Sequence, residues 1–329
     1  MTKVCIYGAG AIGGLIGARL ALRGDCAVSA VARGATLASL RAHGWRVRHQ
    51  GVARQAPCAG AAEDPAGLGV QDIVVVAVKG PAMAAVAAGI GPLLGPDTVV
   101  VPAMNGVPWW FGQGVEALER SPLETVDPGG RISARIDLRR VVGCVVHASA
   151  SMPEPGLVDH HMGHGLILGE PRGGISPRAE AITALLAGAG FEATASADIR
   201  RDIWYKLWGN LTVNPVSAIT GATVDRILDD ALVRDFCSRV MEEAAAVGAR
   251  IGCGIAQSPE DRHRITRKLG GFRSSMLQDV EAGRAIELDA IVGAVHEMAG
   301  RLGVPVPHTA ALLGLARLFG RTHRLYPQA

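Results

Sequence analysis

Hydrophobic positions along this chain follow two rhythms, and the change between them falls near Ala197. In the first half, short β-branched runs alternate with Ala-rich stretches. Residues 3–7, 26–32, 73–78, 98–101 and 141–147 each read as a strand, apolar enough to be buried on both faces as parallel strands are. Residues 108–140, rich in Pro, Gly and charge, read as a long excursion on one face. The glycine-bearing stretch 160–168 reads as strands at a sheet edge. Residues 177–188 form a helix with Pro in its first turn and Gly188 at its end, and 191–195 are a last short strand. Beyond Asp198 the β-rich runs stop. Helical patterns cover 198–213, 227–250, 259–269, 284–302 and 309–319. The pattern predicts an α/β N-terminal domain with a mostly parallel sheet over 1–197, and an all-α C-terminal domain over 198–329.

The first strand runs straight into Gly8-Ala9-Gly10-Ala11-Ile12-Gly13 and then into a helical run, 14–20. Strand, glycine turn and helix form the context in which G-x-G-x-x-G describes a dinucleotide site in a Rossmann-type domain. Gly8 permits the tight turn, Gly10 lets the backbone approach a pyrophosphate, and Gly13 lets helix and strand pack closely. The helix N-terminus offers unpaired N–H groups to that phosphate. The second strand ends at Ala32-Arg33-Gly34, with no Asp or Glu to accept hydrogen bonds from an adenosine 2′-hydroxyl. A guanidinium at Arg33 suits a 2′-phosphate instead, so the expected cofactor is NADP(H).

A second constellation lies in the helical half. Lys206, Asn210 and Asn214 recur every four residues and share one stripe, beside an apolar stripe of Ile203, Leu207 and Leu211. Pro215 is expected to kink or end this helix near Asn214. One cation and two amides in line suit a small polar substrate, and Lys206 suits a general acid that protonates a carbonyl oxygen as hydride reaches the carbon. The same residues also fit an ordinary solvated helix face with asparagines near its end.

Composition narrows the setting. Hydrophobic residues make up 49% and charged residues 19%, as in a compact folded protein, and aromatics only 4%, so small side chains must do much of the packing. The formal charge of +3 is dispersed with no basic, aromatic-interleaved stripe, which argues against nucleic acid as a partner. Six cysteines show neither C-x-x-C pairs nor metal spacing, and Cys5, Cys26 and Cys144 sit in strands as small apolar fillers. A reducing, cytoplasmic setting follows. No stretch reads as a membrane span, because Pro and Gly break the one uncharged run that is long enough, 98–115. His160, His161 and His164 lack further ligands at fixed spacing, so they read as structural or surface histidines and no metal is expected. His296-Glu297 lacks the second histidine of a zinc-protease helix.

Taken together, the glycine loop 8–13, Arg33, Val78-Lys79, Asn105-Gly106, His147-Ala148, the Lys206/Asn210/Asn214-Pro215 helix, the tract Ser274-Ser275-Met276-Leu277-Gln278-Asp279, Glu287-Leu288-Asp289 and the closing Gly303-Val304-Pro305-Val306-Pro307 resemble the ketopantoate reductase (2-dehydropantoate 2-reductase) family over nearly the whole chain. The resemblance implies reduction of a 2-oxo acid by NADPH, foremost 2-dehydropantoate to pantoate in pantothenate biosynthesis. It implies Lys206 as general acid, with Asn105, Asn210, Asn214 and Ser275 on the substrate. Lys79, Asn105, Ala148 and Glu287 would line the cofactor, together with the loop and Arg33. A small-molecule substrate is the expected partner, and a homodimer is compatible with it. A paralogue acting on a bulkier 2-oxo acid is the alternative; a non-catalytic NADP(H) sensor is a weaker one, since a sensor needs no proton donor. Three departures bear on the substrate. Ala82 stands where the family commonly has glutamine, no further asparagine follows Asn214-Pro215, and the 108–140 excursion carries Trp109, Trp110 and Phe111, which could lie over the mouth of the active site.

Overall fold

The structure is a computed structural model describing residues 1–328, and it divides into two compact units: Met1–Met104 with Gly130–Asp202, and Asn105–Gly129 with Ile203–Ala329. The first unit holds an all-parallel five-stranded sheet. Its strands are β1 (Thr2–Tyr7), β2 (Cys26–Val31), β5 (Gly60–Ala62), β6 (Gln71–Val76) and β7 (Leu94–Pro102), in the order β5-β2-β1-β6-β7. Val4, in register with Val28 on one side and Ile73 on the other, is fully buried, which is why these strands carry no polar alternation. Helices α1 (Ala11–Arg23), α2 (Gly34–His43) and α3 (Met83–Gly89) follow β1, β2 and β6.

A second five-stranded sheet in this unit combines β3 (Trp45–His49), β4 (Val52–Ala56), β8 (Gly143–Glu154), β9 (Leu157–Gly169) and β10 (Glu192–Ser196), with α4 (Pro177–Gly188) between the last two strands. The stretch expected at a sheet edge is interior. β9 pairs along one side with β8, and along the other with β3 through its first half and β10 through its second. Its length allows this, because two short strands share one of its sides. Trp45 opens β3 and is almost fully buried, its indole N–H donating to the Val28 carbonyl at 3.1 Å. A Cβ on Gly17 would stand 2.5 Å from that ring, so helix α1 sits flush on Trp45 only because residue 17 lacks a side chain.

In the second unit the helices are α5 (Ile199–Thr220), which begins in the first unit, α6 (Val224–Asp229), α7 (Ala231–Arg250), α8 (Pro259–Arg267), α9 (Ser275–Glu281), α10 (Ala294–Leu302) and α11 (Pro307–Thr322). Two expected long helices are interrupted. Asp230 accepts from the N–H groups of Leu232 and Val233, capping α7 and ending α6 before it. The stretch before α10 contains a π-helical segment, Asp289–Gly293, in place of a continuous helix. Pro215 does not stop α5, which runs on to Thr220. The residues that follow, Val216, Ser217 and Ala218, are buried, and burial offsets the roughly 3 kcal/mol that an interior proline costs.

The aromatic residues of the excursion lie in this unit's core. Trp109, Trp110 and Phe111 are buried, and the Phe111 ring stacks on Trp204 of α5 at 5.9 Å between centroids. They are not a flap over a binding site; their apolar area drives them inward, and truncating such a side chain typically costs about 3–5 kcal/mol. Glu297 on α10 fastens the same segment, accepting from the N–H of Glu124 at 2.9 Å and of Thr125 at 2.8 Å.

Candidate active site

The glycine loop closes on itself tightly. Gly8 has φ +97°, and a Cβ there would meet Val78 at 2.6 Å. A Cβ on Gly13 would lie 2.1 Å from the Gly8 carbonyl oxygen. Gly10 differs, since nothing stands within 4 Å of its Cβ direction. The loop is therefore packed at its first and third glycines and open at its second, where a phosphate would approach. Helix α1 starts with Gly14 N–H donating to the Gly10 carbonyl at 2.7 Å, leaving the earlier N–H groups without intrahelical partners.

This loop forms one wall of a cleft of about 350 Å³ within the first unit. Tyr7, Gly8, Ala9 and Gly10 line it, and Arg33 and Thr36 lie at its α2 side. Arg33 is exposed at the N-cap of α2, so its guanidinium is available to a ligand. The cleft fits an adenosine dinucleotide with a 2′-phosphate: a bare backbone at Gly10, a helix start, and a cation past the end of β2. Ala82, at the position of the family's glutamine, also lines it and leaves that side open. Thr36 and Met152 are lining residues that the sequence did not single out. Lys79 and Ala148 are not among its lining residues. Lys79 precedes a short turn after β6, and Ala148 sits at a register shift in β8.

In the second unit, Lys206 Nζ donates to Asn105 Oδ1 at 2.7 Å. Asn105 is held from behind. Gly106 has φ +80° and a Cβ there would meet the Ala290 carbonyl at 2.5 Å, while the Val107 N–H donates to that same carbonyl at 2.7 Å. The π-helical segment thus fixes the asparagine turn, and Tyr326 fixes the segment through a 2.5 Å bond from its hydroxyl to Asp289. Burial raises the Asp289 carboxyl above the ordinary range, with the Tyr326 hydroxyl opposing it.

Along α5, Asn210 is half-buried and Asn214 only 5% exposed, and neither side-chain amide has a hydrogen-bond partner among the described residues. Neither amide is among the buried polar atoms left without a partner, so both stay open to solvent and free to bond a ligand. Ser217, one turn on, donates to the Asn214 carbonyl at 3.1 Å and meets the Ser274 hydroxyl at 2.5 Å. Ser274 caps α9 by accepting from the Leu277 N–H, so this buried serine pair couples α5 to the helix that begins with exposed Ser275. Neither Ser217 nor Ser274 was singled out as a site residue; their signal was only a hydroxyl near each end of the joint. Glu287 lies two residues before the π-helical segment and is half-buried.

Two family models cover most of the chain: ketopantoate reductase PanE/ApbA over residues 4–173, and ketopantoate reductase PanE/ApbA C terminal over 198–319. The chain belongs to the ketopantoate reductase family. A 2-dehydropantoate 2-reductase of Mesorhizobium japonicum is 42% identical over 316 residues, which is 96% of this chain and 97% of the relative. One from Halobacterium salinarum is 30% identical over 328 residues, 97% of this chain and 99% of the relative. A crystal structure from Ralstonia solanacearum MolK2, described as a candidate ketopantoate reductase, is 54% identical and superposes with a TM-score of 0.94, covering 99% of this chain and all (100%) of that one. The expected architecture, a parallel-sheet Rossmann-type region followed by a helical region, is that of this ketopantoate reductase. It is an oxidoreductase of the NADP-dependent class that acts on a CH–OH group. No helix among the described residues is long and apolar enough to cross a membrane.

Proposed function

We propose that this ketopantoate reductase reduces 2-dehydropantoate to pantoate with NADPH. The observation that carries the reading is the Lys206–Asn105 pair on the helix that also presents the unpartnered amides of Asn210 and Asn214. Hydride arriving at a ketone carbon builds negative charge on oxygen, and an ammonium set in place stabilises that charge and then gives up a proton. NADPH, when bound, supplies the hydride. Lys206 supplies the proton, so the carbonyl gains two hydrogens and the lysine is left neutral until solvent reprotonates it. Asn105 keeps the ammonium oriented. The amides of Asn210 and Asn214 and the hydroxyl of Ser275 hold the substrate's hydroxyl and carboxylate, while Arg33 and Thr36 hold the 2′-phosphate. The glycine loop cradles the pyrophosphate. Lys79, Ala148 and Glu287 complete the cofactor's surroundings.

The name of the 42% identical relative supports this choice of substrate. Burial of Trp109, Trp110 and Phe111 in the core removes the excursion's rings as a reason for favouring a bulkier acid. The six cysteines are free thiols and five of them are buried, which suits the reducing cytoplasm where we place the enzyme.

Following NADPH consumption at a series of 2-oxo acids with side chains of increasing size tests the assignment. The highest kcat/KM is expected for 2-dehydropantoate. A tenfold or greater preference for another acid in the series would overturn it.

A further inference from the structure

We propose that His49, His160 and His164 form a binding site for a divalent d-block cation such as Zn²⁺ or Co²⁺, separate from the nucleotide cleft of the same unit. His49 ends β3, and His160 and His164 lie on β9 beside it; the parallel ladder sets His49 opposite His160. Their potential ligand atoms all fall within 4.8 Å of one another. The ring centroids of His49 and His160 are 4.6 Å apart, as are those of His160 and His164.

The hydrogen bonds fix which nitrogens carry lone pairs. His160 Nε2 is 2.7 Å from the Gly163 carbonyl, and His49 Nδ1 is 3.2 Å from the His160 carbonyl. A carbonyl only accepts, so both nitrogens bear the proton, and the lone pairs sit on His160 Nδ1 and His49 Nε2. Backbone carbonyls holding the far N–H in this way are the usual support of metal-binding histidines. The lone pairs of His160 Nδ1 and His164 Nδ1 also converge on a single point, now filled by a cation. Arg19 Nη2 stands 3.2 Å from the first and 2.9 Å from the second. Two imidazoles that share one cationic nitrogen already have a chelating arrangement. Zinc–nitrogen bonds of about 2.0–2.1 Å require the rings to close in by about an ångström. Arg19 and His49 line an open cleft of about 570 Å³, which gives the metal an entry path and the displaced guanidinium a place to go. All-imidazole ligation selects zinc, cobalt, nickel or copper over magnesium or calcium.

Arg19 is the competitor, and this gives the proposal a gain-of-affinity test. Untagged, chelator-stripped full-length protein is titrated with Co²⁺ by absorption and with Zn²⁺ by calorimetry. One equivalent is expected to bind, with His49→Ala, His160→Ala and His164→Ala each weakening it by about tenfold or more. His161→Ala, an exposed neighbour bonded to Ser151, leaves the affinity unchanged. Arg19→Gln tightens binding several-fold, a result that a merely misfolded variant cannot give. The proposal fails if neither the natural protein nor Arg19→Gln binds at submillimolar metal, if the three histidine variants bind as the parent does, or if thiolate charge-transfer bands place the cobalt on cysteine.

Discussion

The ammonium of Lys206 and the side-chain carbonyl of Asn105 meet at 2.7 Å although 101 residues separate them. Lys206→Ala is expected to lower kcat by about 10²–10⁴ while the NADPH dissociation constant stays within about twofold. Asn105→Ala, which leaves the acid but not its aim, should cost less, about tenfold to a hundredfold in kcat. Steady-state kinetics and a fluorescence titration of cofactor separate these effects.

Asn214 offers the reverse of a usual core substitution. The residue is buried but its amide, with no side-chain hydrogen bond among the described residues, is not sealed from solvent, so Asn214→Ala removes no bond within the fold. The melting temperature should stay level or rise, while KM for the 2-oxo acid rises about ten- to a hundredfold, as expected for losing a bond to a charged or developing-charge group. A clear fall in melting temperature would show that the amide serves the fold.

Two glycines of one loop should respond oppositely. Gly13→Ala drives a methyl into the Gly8 carbonyl at 2.1 Å and should lower the melting temperature. Gly10→Ala points into open space and should leave it unchanged, yet weaken NADPH binding by about tenfold or more because the methyl stands where the pyrophosphate approaches. Thermal unfolding with and without NADPH reads both outcomes.

Arg33 is exposed at the wall of the nucleotide cleft, and charge-assisted bonds to a phosphate are worth about 1.5–3 kcal/mol. Arg33→Ala should raise KM for NADPH about ten- to a hundredfold and change KM for NADH by no more than about threefold. Equal losses with both cofactors would remove Arg33 from the 2′-phosphate.

Glu297 sets an acid limit on the second unit. Burial alone would push its carboxyl up, but bonds from the Thr125 hydroxyl and from the N–H groups of Thr125 and Glu124, with Arg301 beside it, hold it below the ordinary range. A carboxyl depressed in the folded state contributes stability above its unfolded pKa and loses it as pH falls through the folded one. The melting temperature should therefore decline below about pH 5. Glu297→Gln should lose about 1–3 kcal/mol at neutral pH and show a shallower decline.

Local features were readable from the chain. Strand β1, the glycine loop and the start of α1 lie within a few residues of one another, and α4 declares itself through Pro177 and Gly188. What escaped reading depends on partners distant in sequence. β3 alternates Trp45 and Val47 with Arg46 and Arg48, a two-residue period masked by the charges, and its pairing with the distant β9 joins the β3–β4 hairpin to the larger sheet. The hairpin histidines lacked a visible third ligand because His49 is brought in by that same pairing. Trp109–Phe111 looked surface-bound amid prolines and glycines, yet all three are buried and Phe111 stacks on Trp204. Pro215 obeyed packing rather than its own preference. Asn105 and Lys206 were each legible; their contact was not, because it depends on a carbonyl of the π-helical segment holding the turn after Asn105.

The seating of α1 on Trp45 has an optical consequence. Of the five tryptophans, Trp45 alone belongs to the first unit, while Trp109, Trp110, Trp204 and Trp208 all belong to the second. Emission from Trp45 therefore reports on the helix whose start we propose as the phosphate site, and a Trp45→Phe protein glows only from the helical unit. The chain carries its own two-channel probe, with no label to attach.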